Sequence, residues 1–205
     1  MCPFCYLRCH QLHGALDQFE HADAVVVRHH AFELDPHSPL TYPGTLNELV
    51  ATEYVVSVER AKENNAQVQA DAEEWGLRWS PDTVKPANSF DAHRLVALAA
   101  SQNLQGKMLE RLFQAYFSEG SLISDFSTLS SLALQVGVQG AEQMLRGNEF
   151  ADIVRHDQNL AARIGIQAVP AVIFDGQVNG SGAQGVNFML DALSTVWDGR
   201  QKLLV

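Results

Sequence analysis

The chain has 205 residues, of which 46% are hydrophobic and 19% are charged, which is enough apolar material for one domain with a sizeable core. Its formal net charge of −10 argues against nucleic acid or an anionic membrane as the main partner. No apolar run approaches the roughly 20 residues that span a bilayer, and residues 1–12 lack the apolar region of a signal peptide. We therefore expect a globular protein located in the cytoplasm.

All three cysteines lie in the stretch MCPFCYLRC at the start of the sequence. Cysteines placed so closely cannot form a framework of disulfides across a fold. The two residues between Cys2 and Cys5 also close a loop too short to stabilise the folded state through chain entropy. The pair therefore points to chemistry rather than to a structural crosslink.

The first 44 residues predict a helix, a β-strand and a loop, in that order. Residues 3 to about 20 have the apolar spacing of a helix, and Pro3 suits its first turn because the missing N–H is not needed there. The stretch ADAVVVRHHAFEL (22–34) predicts a β-strand from its β-branched run. Residues 35–44, with three prolines and a glycine, predict a loop.

Residues 45–165 predict helices and almost no strand. Thr45 and Glu48 have the pattern of a capping box at the start of one long helix or two consecutive helices. After a loop, a strongly amphipathic helix begins with Asn88 or Ser89 as its cap, and further helical segments complete the block.

Strand character returns near the end of the chain. Residues 171–179 predict a β-hairpin, because two short apolar runs are joined by the turn dipeptide Asp175-Gly176. A helix over residues 186–197 follows. The element order is a CxxC, helix, strand, helical block, Val-Pro, hairpin and helix, which is a βαβ–ββα plan with a helical insertion.

The position of the two cysteines suggests how they react. A thiolate is the nucleophile in disulfide exchange, and the amino end of a helix lowers a cysteine pKa because unpaired N–H groups and the macrodipole favour negative charge. Cys2 lies just before Pro3, at the expected cap, and Cys5 lies one turn inside the helix. This spacing predicts Cys2 as the attacking thiol and Cys5 as the thiol that resolves a mixed disulfide.

Val169-Pro170 stands directly before the predicted strand AVIF. A proline cannot donate a hydrogen bond to a sheet, so it belongs at the first residue of an edge strand or in a turn. The alternative is an ordinary loop proline.

In combination, these segments resemble the FrnE-type branch of the DsbA-like thioredoxin superfamily, whose relatives include 2-hydroxychromene-2-carboxylate isomerases and kappa-class glutathione transferases. The matching stretches are MCPFCYLRCHQL, ANSFDAHRLVALA, RIGIQAVPAVIFDGQVNGSGAQG and the helical block between them. The resemblance implies an α/β, thioredoxin-like fold, with residues 1–44 and 166–205 forming the thioredoxin-like domain and residues 45–165 a large all-helical insertion. The family has a strand before the CxxC, so we expect that the first β-strand is missing from the given sequence.

The resemblance also implies which residues act. It implies dithiol–disulfide exchange through Cys2 and Cys5, with a cis Pro170 lying against the CxxC. In such a fold Val169 offers its backbone N–H and C=O to an extended substrate, a form of strand addition.

Three further residues are candidates for substrate binding. Asn88 and His93 begin a helix that faces the catalytic cleft in the family, although Asn88 could instead cap that helix and His93 could pack at an interface. Ser181, with the backbone of residues 182–183, lies in a turn that anchors the glutamyl end of glutathione in the glutathione-using relatives. The alternative for this turn is a tight connection from a strand into a helix.

The third cysteine leaves two alternatives open. Cys9 lies one turn beyond Cys5, either as a buried or half-exposed free cysteine or as a third redox thiol that could pair with Cys5 after rearrangement. Zinc bound by Cys2, Cys5, Cys9 and His10 or His13 is a further alternative, but four ligands on one helix do not easily converge, so we expect no metal.

The first hypothesis is therefore a thiol–disulfide oxidoreductase that acts on disulfide- or thiol-containing proteins or small molecules. It needs no bound cofactor, and glutathione is a candidate co-substrate. The alternatives are a glutathione-dependent isomerase or transferase on the same fold, and a non-enzymatic zinc-binding protein. The glutathione-using relatives commonly replace the first cysteine with serine, so the presence of both cysteines favours the first hypothesis. We expect no nucleic acid or membrane partner, and the helical block could form a homodimer surface.

Overall fold

The computed structural model describes residues 1–181 and 185–203. Within them the helices, in chain order, are α1 (Pro3–Leu16), α2 (Leu46–Glu53), α3 (Val58–Glu74), α4 (Phe90–Ser101), α5 (Gln105–Phe117), α6 (Phe126–Val136), α7 (Ala141–Arg146), α8 (Ala151–Arg163) and α9 (Gly185–Leu203). The strands are β1 (Ala171–Phe174) and β2 (Gln177–Ser181), and a short 3₁₀ helix (Ala22–Ala24) follows α1. None of the helices described is long and apolar enough to cross a membrane.

The chain divides into two compact units. The hairpin unit comprises Cys2–Arg28 and Ala162–Val205, and the helical unit comprises Met1 and His29–Ala161. The sequence prediction placed the corresponding divisions after residues 44 and 165.

The first helix begins at Pro3 as predicted but ends at Leu16 rather than near residue 20. The N–H groups of Gln18 and Phe19 donate to the carbonyl oxygens of Ala15 and Leu16, each three residues earlier. Such tighter bonds close a last turn and end a helix, even where the apolar spacing continues to Phe19.

The predicted β-hairpin is confirmed. Phe174 pairs with Gln177 and Ile173 with Val178 in an antiparallel ladder. Asp175 and Gly176 both have positive φ angles, 49° and 81°, which is the requirement of a type I′ turn. The final helix begins at Gly185, one residue before its predicted start, and extends to Leu203.

The core of the hairpin unit forms between α1, β1 and α9. Its buried residues are Ala15, Phe174, Met189, Ala192 and Leu193. A Cβ added at Gly14 would lie only 3.3 Å from Val186 Cγ2, so glycine at this position permits the close approach of α1 and α9.

The predicted β-strand over residues 22–34 is wrong, since the segment forms a 3₁₀ helix at its start and no strand after it. Its backbone groups bond to side chains instead: Gln105 Oε1 accepts from the His29 N–H, Gln105 Nε2 donates to the His29 carbonyl, and Asp157 Oδ2 accepts from the Ala31 N–H. A β-branched run predicts an extended chain, but a strand also needs a neighbouring strand to receive its hydrogen bonds.

The helical unit begins as predicted, with α2 and α3 as two consecutive helices. Thr45 Oγ1 accepts from the Glu48 N–H at 3.2 Å, and Glu48 Oε2 accepts from the Thr45 N–H at 2.7 Å, which completes the capping box. Between the helices Val55 has a φ angle of 54°, and α3 then starts with Ser57 as its cap.

Buried apolar side chains hold the helical unit together. The largest fully buried ones are Phe117, Leu95, Met108, Leu112, Ile123, Leu129, Met144, Val138 and Val154. They come from α4 to α8 and the connections between these helices, so the block has its own core.

One buried polar residue crosslinks this block. Arg94 on α4 has a side chain only 4% exposed, and its guanidinium donates to the carbonyl oxygens of Met144, Gly147 and Glu149 and to the carboxylate of Asp91. The three carbonyls lie at the end of α7 and in the connection to α8. Arg94 therefore provides the hydrogen-bond donors that a helix terminus otherwise lacks.

We expect the substitution Arg94→Met to lower the free energy of unfolding by about 3 kcal/mol, because buried carbonyls and a carboxylate lose their donors. Urea denaturation followed by circular dichroism measures this change. The matched control is Arg60→Met, which removes an exposed ion pair with Glu63 and should change stability by less than about 1 kcal/mol. Equal small effects of the two substitutions would contradict the role of Arg94.

Candidate active site

Cys2 occupies the position directly before α1, with Pro3 as the first helical residue. Its backbone is extended (φ −106°, ψ 123°), and its carbonyl oxygen accepts from the N–H groups of Cys5 at 3.1 Å and Tyr6 at 3.4 Å. No described side chain caps this end of α1. The exposed N–H groups and the positive end of the helix dipole therefore act on the Cys2 sulfur.

A hydrogen bond between the thiols of Cys2 and Cys5 separates their pKa values. Donation by the Cys5 thiol is the largest effect on Cys2, and it lowers the pKa of Cys2 from 9.0 to about 7 against the opposing effect of burial. The N–H groups of Cys5 and Phe4 lower it further. The same hydrogen bond, followed by burial, raises the pKa of Cys5. Cys2 is therefore the thiol that ionises first, while Cys5 keeps its proton.

The backbone of Val169 lies beside the same sulfur. In its protonated form the Cys2 thiol donates to the Val169 carbonyl oxygen across 3.7 Å. The Val169–Pro170 peptide bond is cis, and Pro170 is buried directly before β1, where its missing N–H leaves no ladder position empty. The hairpin unit thus brings together Cys2, Cys5, Val169 and Pro170.

Asn88 and His93 lie in the helical unit. Asn88 Oδ1 accepts from the Phe90 N–H at 2.8 Å at the start of α4, and Asn88 Nδ2 donates to the Ser38 carbonyl at 3.1 Å, so both ends of the amide have partners. Burial lowers the pKa of His93 to about 4, which keeps the imidazole neutral near pH 7. The assignment of both residues to substrate binding stays a prediction.

Ser181 is the last residue of β2, where its backbone pairs with Ala171. Its side chain and residues 182–183, the rest of the predicted carboxylate-binding turn, lie outside the described residues. This assignment also stays a prediction.

Cys9 is a half-buried thiol on α1, and a charge on it raises the pKa of Cys5. In the part of the chain that the structure describes, no group of three or more His, Cys, Asp or Glu side chains is arranged to hold a metal ion. The expectation that no metal is bound stays a prediction.

Sequence reasoning missed one residue near the cysteines, Arg8. Its side chain is buried, Nη1 lies 3.7 Å from Met189 Sδ on α9, and Nε and Nη2 have no hydrogen-bond partner in the described structure. The available signal was spacing, because Arg8 lies three residues after Cys5 and four before Leu12, on the same face of α1.

Comparison with known proteins places this geometry in a family. A family model described as a DsbA-like thioredoxin domain matches residues 1–194. The search of curated protein sequences found no significant match to the chain.

Solved structures that are similar to this one include two disulfide-exchange proteins. A probable DsbA oxidoreductase from Streptomyces coelicolor is 29% identical, with a TM-score of 0.90 over 96% of this chain and 86% of that chain. The cytosolic disulfide reductase DsbM from Pseudomonas aeruginosa is 19% identical, with a TM-score of 0.57 over 100% of this chain and 94% of that chain, a likeness that shows the fold alone. With a family match that extends from the cysteine pair into α9, the chain belongs to the DsbA-like thioredoxin domain family.

Proposed function

We propose that the protein is a thiol–disulfide oxidoreductase in which Cys2 attacks a disulfide and Cys5 resolves the resulting mixed disulfide. The observation that carries this proposal is the hydrogen bond from Cys5 to Cys2 at the amino end of α1, which lowers the pKa of Cys2 to about 7. About half of the Cys2 thiols are then ionised at pH 7, and the thiolate is the reactive form.

The exchange proceeds in two steps. The Cys2 thiolate attacks one substrate sulfur, so that a bond between Cys2 and the substrate forms, the substrate disulfide breaks, and its other sulfur leaves as a thiolate. Cys5 then loses its proton to water and attacks the Cys2 sulfur, which forms the Cys2–Cys5 disulfide and releases the second substrate thiolate. Two protein thiols are oxidised and one disulfide is reduced. An external thiol, for which glutathione is the candidate co-substrate, must then reduce the Cys2–Cys5 disulfide.

Two features support a peptide segment as the substrate. Val169 places a backbone carbonyl 3.7 Å from the Cys2 sulfur, where an extended peptide can bond to it as an added strand. Phe4, between the cysteines, is 40% exposed and offers an apolar surface beside the reacting thiol. Small-molecule disulfides contain the same reactive sulfur bond and form the second substrate class.

The pKa of Cys2 supports reduction of substrates rather than strong oxidation. Stabilising the thiolate stabilises the reduced protein, so the most acidic cysteines belong to the strongest oxidants. A pKa of about 7 matches that of thioredoxin, about 7, rather than that of DsbA, about 3.5. The proposed direction is therefore electron flow from Cys2 and Cys5 to the substrate.

Several expectations from the sequence stay predictions: the FrnE-type branch, the cytoplasmic location, a homodimer, the domain boundaries, the missing first strand, and the roles of Asn88, His93 and Ser181.

The glutathione-dependent isomerase or transferase is the rival function, and it predicts glutathione binding together with no action on disulfide substrates.

The first experiment is reduction of insulin disulfides with dithiothreitol, followed by the turbidity of the released chains. We expect the wild-type protein to accelerate the reaction and Cys2→Ser to lose all acceleration, because the attacking sulfur is gone. Cys5→Ser should lose turnover and accumulate a mixed disulfide on Cys2, which mass spectrometry detects.

Cys9→Ser is the matched control, since it removes a cysteine of the same helix. Turnover at the wild-type rate in this variant would assign the exchange to Cys2 and Cys5. Absence of acceleration by the wild-type protein, with glutathione bound in calorimetry, would reject the proposed function in favour of the rival.

The pH dependence of Cys2 alkylation by iodoacetamide tests the electrostatics of the site. Because the pKa of Cys2 is lowered, its thiolate forms as the pH rises through about 7, and the alkylation rate should rise with a midpoint there. In Cys5→Ala the donor that contributes most is absent, so the midpoint should move up towards the ordinary value of 9.0.

In this experiment the protein with the native Cys5 and the Cys5→Ala variant both carry Cys9→Ser, and peptide mapping identifies the alkylated residue. While the Cys2 thiolate accepts its hydrogen bond, the pKa of Cys5 is raised, so Cys5 of the otherwise native site should be alkylated only after Cys2. An unchanged midpoint in Cys5→Ala would contradict the hydrogen bond as the cause.

A further inference from the structure

Arg8 is a buried cation without an anionic partner in the described structure. The residue is 3% exposed, Nη1 contacts the thioether of Met189 at 3.7 Å, and Nε and Nη2 are buried without a hydrogen-bond partner. Burying an unpaired charge costs free energy, and an arginine cannot avoid this by losing its proton at physiological pH. A packing role alone would be served as well by an apolar side chain of similar size.

The position of Arg8 relates it to Cys5. Side chains three residues apart on a helix are neighbours on one face, so Arg8 and Cys5 lie one turn apart on α1. Burial lowers the pKa of Arg8, and a negative charge on Cys5 raises it, so the two groups attract each other when Cys5 is ionised.

Three groups shift the pKa of Cys5 besides burial. They are the thiols of Cys2 and Cys9, which raise it, and the amino group of Met1, which lowers it. From α9, the helix packed against α1, the contact to Arg8 is made by Met189, which does not titrate. Arg8 is a guanidinium whose pKa a charge on Cys5 raises, one helical turn away on α1.

We propose that Arg8 is a positioning residue that stabilises the Cys5 thiolate through its buried, unpartnered guanidinium during the resolving step. This inference rests on the proposed function and adds to it. While Cys2 is the thiolate, Cys5 is a neutral thiol that donates to it. Once Cys2 is bonded to a substrate sulfur, it carries no charge, and Cys5 must ionise to attack it.

The same charge develops in both directions of exchange. When Cys5 attacks the mixed disulfide, its sulfur starts as a thiolate; when a substrate thiolate attacks the Cys2–Cys5 disulfide at Cys2, the Cys5 sulfur leaves as a thiolate. A fixed cation next to Cys5 lowers the barrier in either direction, because it requires no reorganisation when the charge appears.

The first test measures Cys5 directly, with Cys2 and Cys9 both replaced by serine. The rate of Cys5 alkylation as a function of pH is compared between the protein with the native Arg8 and its Arg8→Met and Arg8→Lys variants. We expect Arg8→Met to alkylate about tenfold more slowly at a fixed pH below the transition, which corresponds to a pKa about one unit higher. Arg8→Lys should recover part of the rate, because it restores a cation.

The second test separates the two steps of exchange with dithiobis(nitrobenzoate), in protein with only Cys9 replaced. Attack by Cys2 releases one coloured thiolate, and resolution by Cys5 releases a second. We expect Arg8→Met to slow the second phase and leave the first unchanged. Arg28→Met is the matched control, since it removes an exposed arginine from the same unit and should alter neither phase.

The outcomes distinguish the inference from the proposed function. Equal Cys5 alkylation profiles in Arg8 and Arg8→Met proteins of native circular dichroism would overturn the role of Arg8, as would equal second phases; Arg8→Gln replaces Arg8→Met if the latter does not fold. A wild-type protein that releases only the first thiolate and does not reduce insulin would instead reject the proposed function. The alkylation comparison does not depend on turnover, so it reports on Arg8 in either case.

Discussion

The proposed chemistry of this site depends on the proton of the Cys5 thiol, which is held between the sulfur atoms of Cys5 and Cys2. While the Cys5 thiol donates to Cys2, the Cys2 thiolate is stabilised and the Cys5 thiolate is not. In the proposed function, the hydrogen bond therefore assigns the attacking role and the resolving role to two residues of the same type. It also ends when Cys2 reacts, because a sulfur in a mixed disulfide is a much weaker acceptor than a thiolate. The first step thus removes the interaction that kept Cys5 protonated.

This arrangement needs α1 and β1 to be held together, and the core of the hairpin unit does this. Ala15 on α1, Phe174 on β1 and Met189 on α9 are buried in one cluster, so the helix that carries Cys2 and the strand that follows Val169 share a core. The contact of 3.7 Å between the Cys2 sulfur and the Val169 carbonyl therefore joins two distant parts of the sequence without a covalent link. The backbone proposed to bind substrate and the proposed nucleophile are held together by the same packing.

The features that could be predicted from the sequence are those that local interactions determine. The capping box at Thr45 and the turn at Asp175-Gly176 depend on residues a few positions apart, and both form as expected. The strand over residues 22–34 could not be predicted correctly, because its backbone bonds to Gln105 and Asp157 from distant helices rather than to a neighbouring strand.

Within the candidate site, local sequence likewise indicates the cysteine pair but not the burial of Arg8. The spacing of Cys2 and Cys5 at the start of a helix is enough to indicate a reactive pair. The burial of Arg8 depends instead on the packing of α9 against α1, which no local sequence pattern predicts. An arginine in a helical sequence is ordinarily exposed, so its spacing from Cys5 indicated a position near the cysteines but did not predict that its side chain is buried.

The protonation state of Cys5 determines whether the buried charge of Arg8 has a negative charge near it. In the reduced protein the guanidinium is buried with two unpartnered donors, so the hairpin unit carries an uncompensated cost. Ionisation of Cys5 reduces that cost, because it places a negative charge one helical turn away. The stabilisation is therefore larger for the state in which Cys5 attacks than for the state before substrate binds. A residue that stabilised both states equally would not accelerate the resolving step, whereas one that is unsatisfied beforehand does.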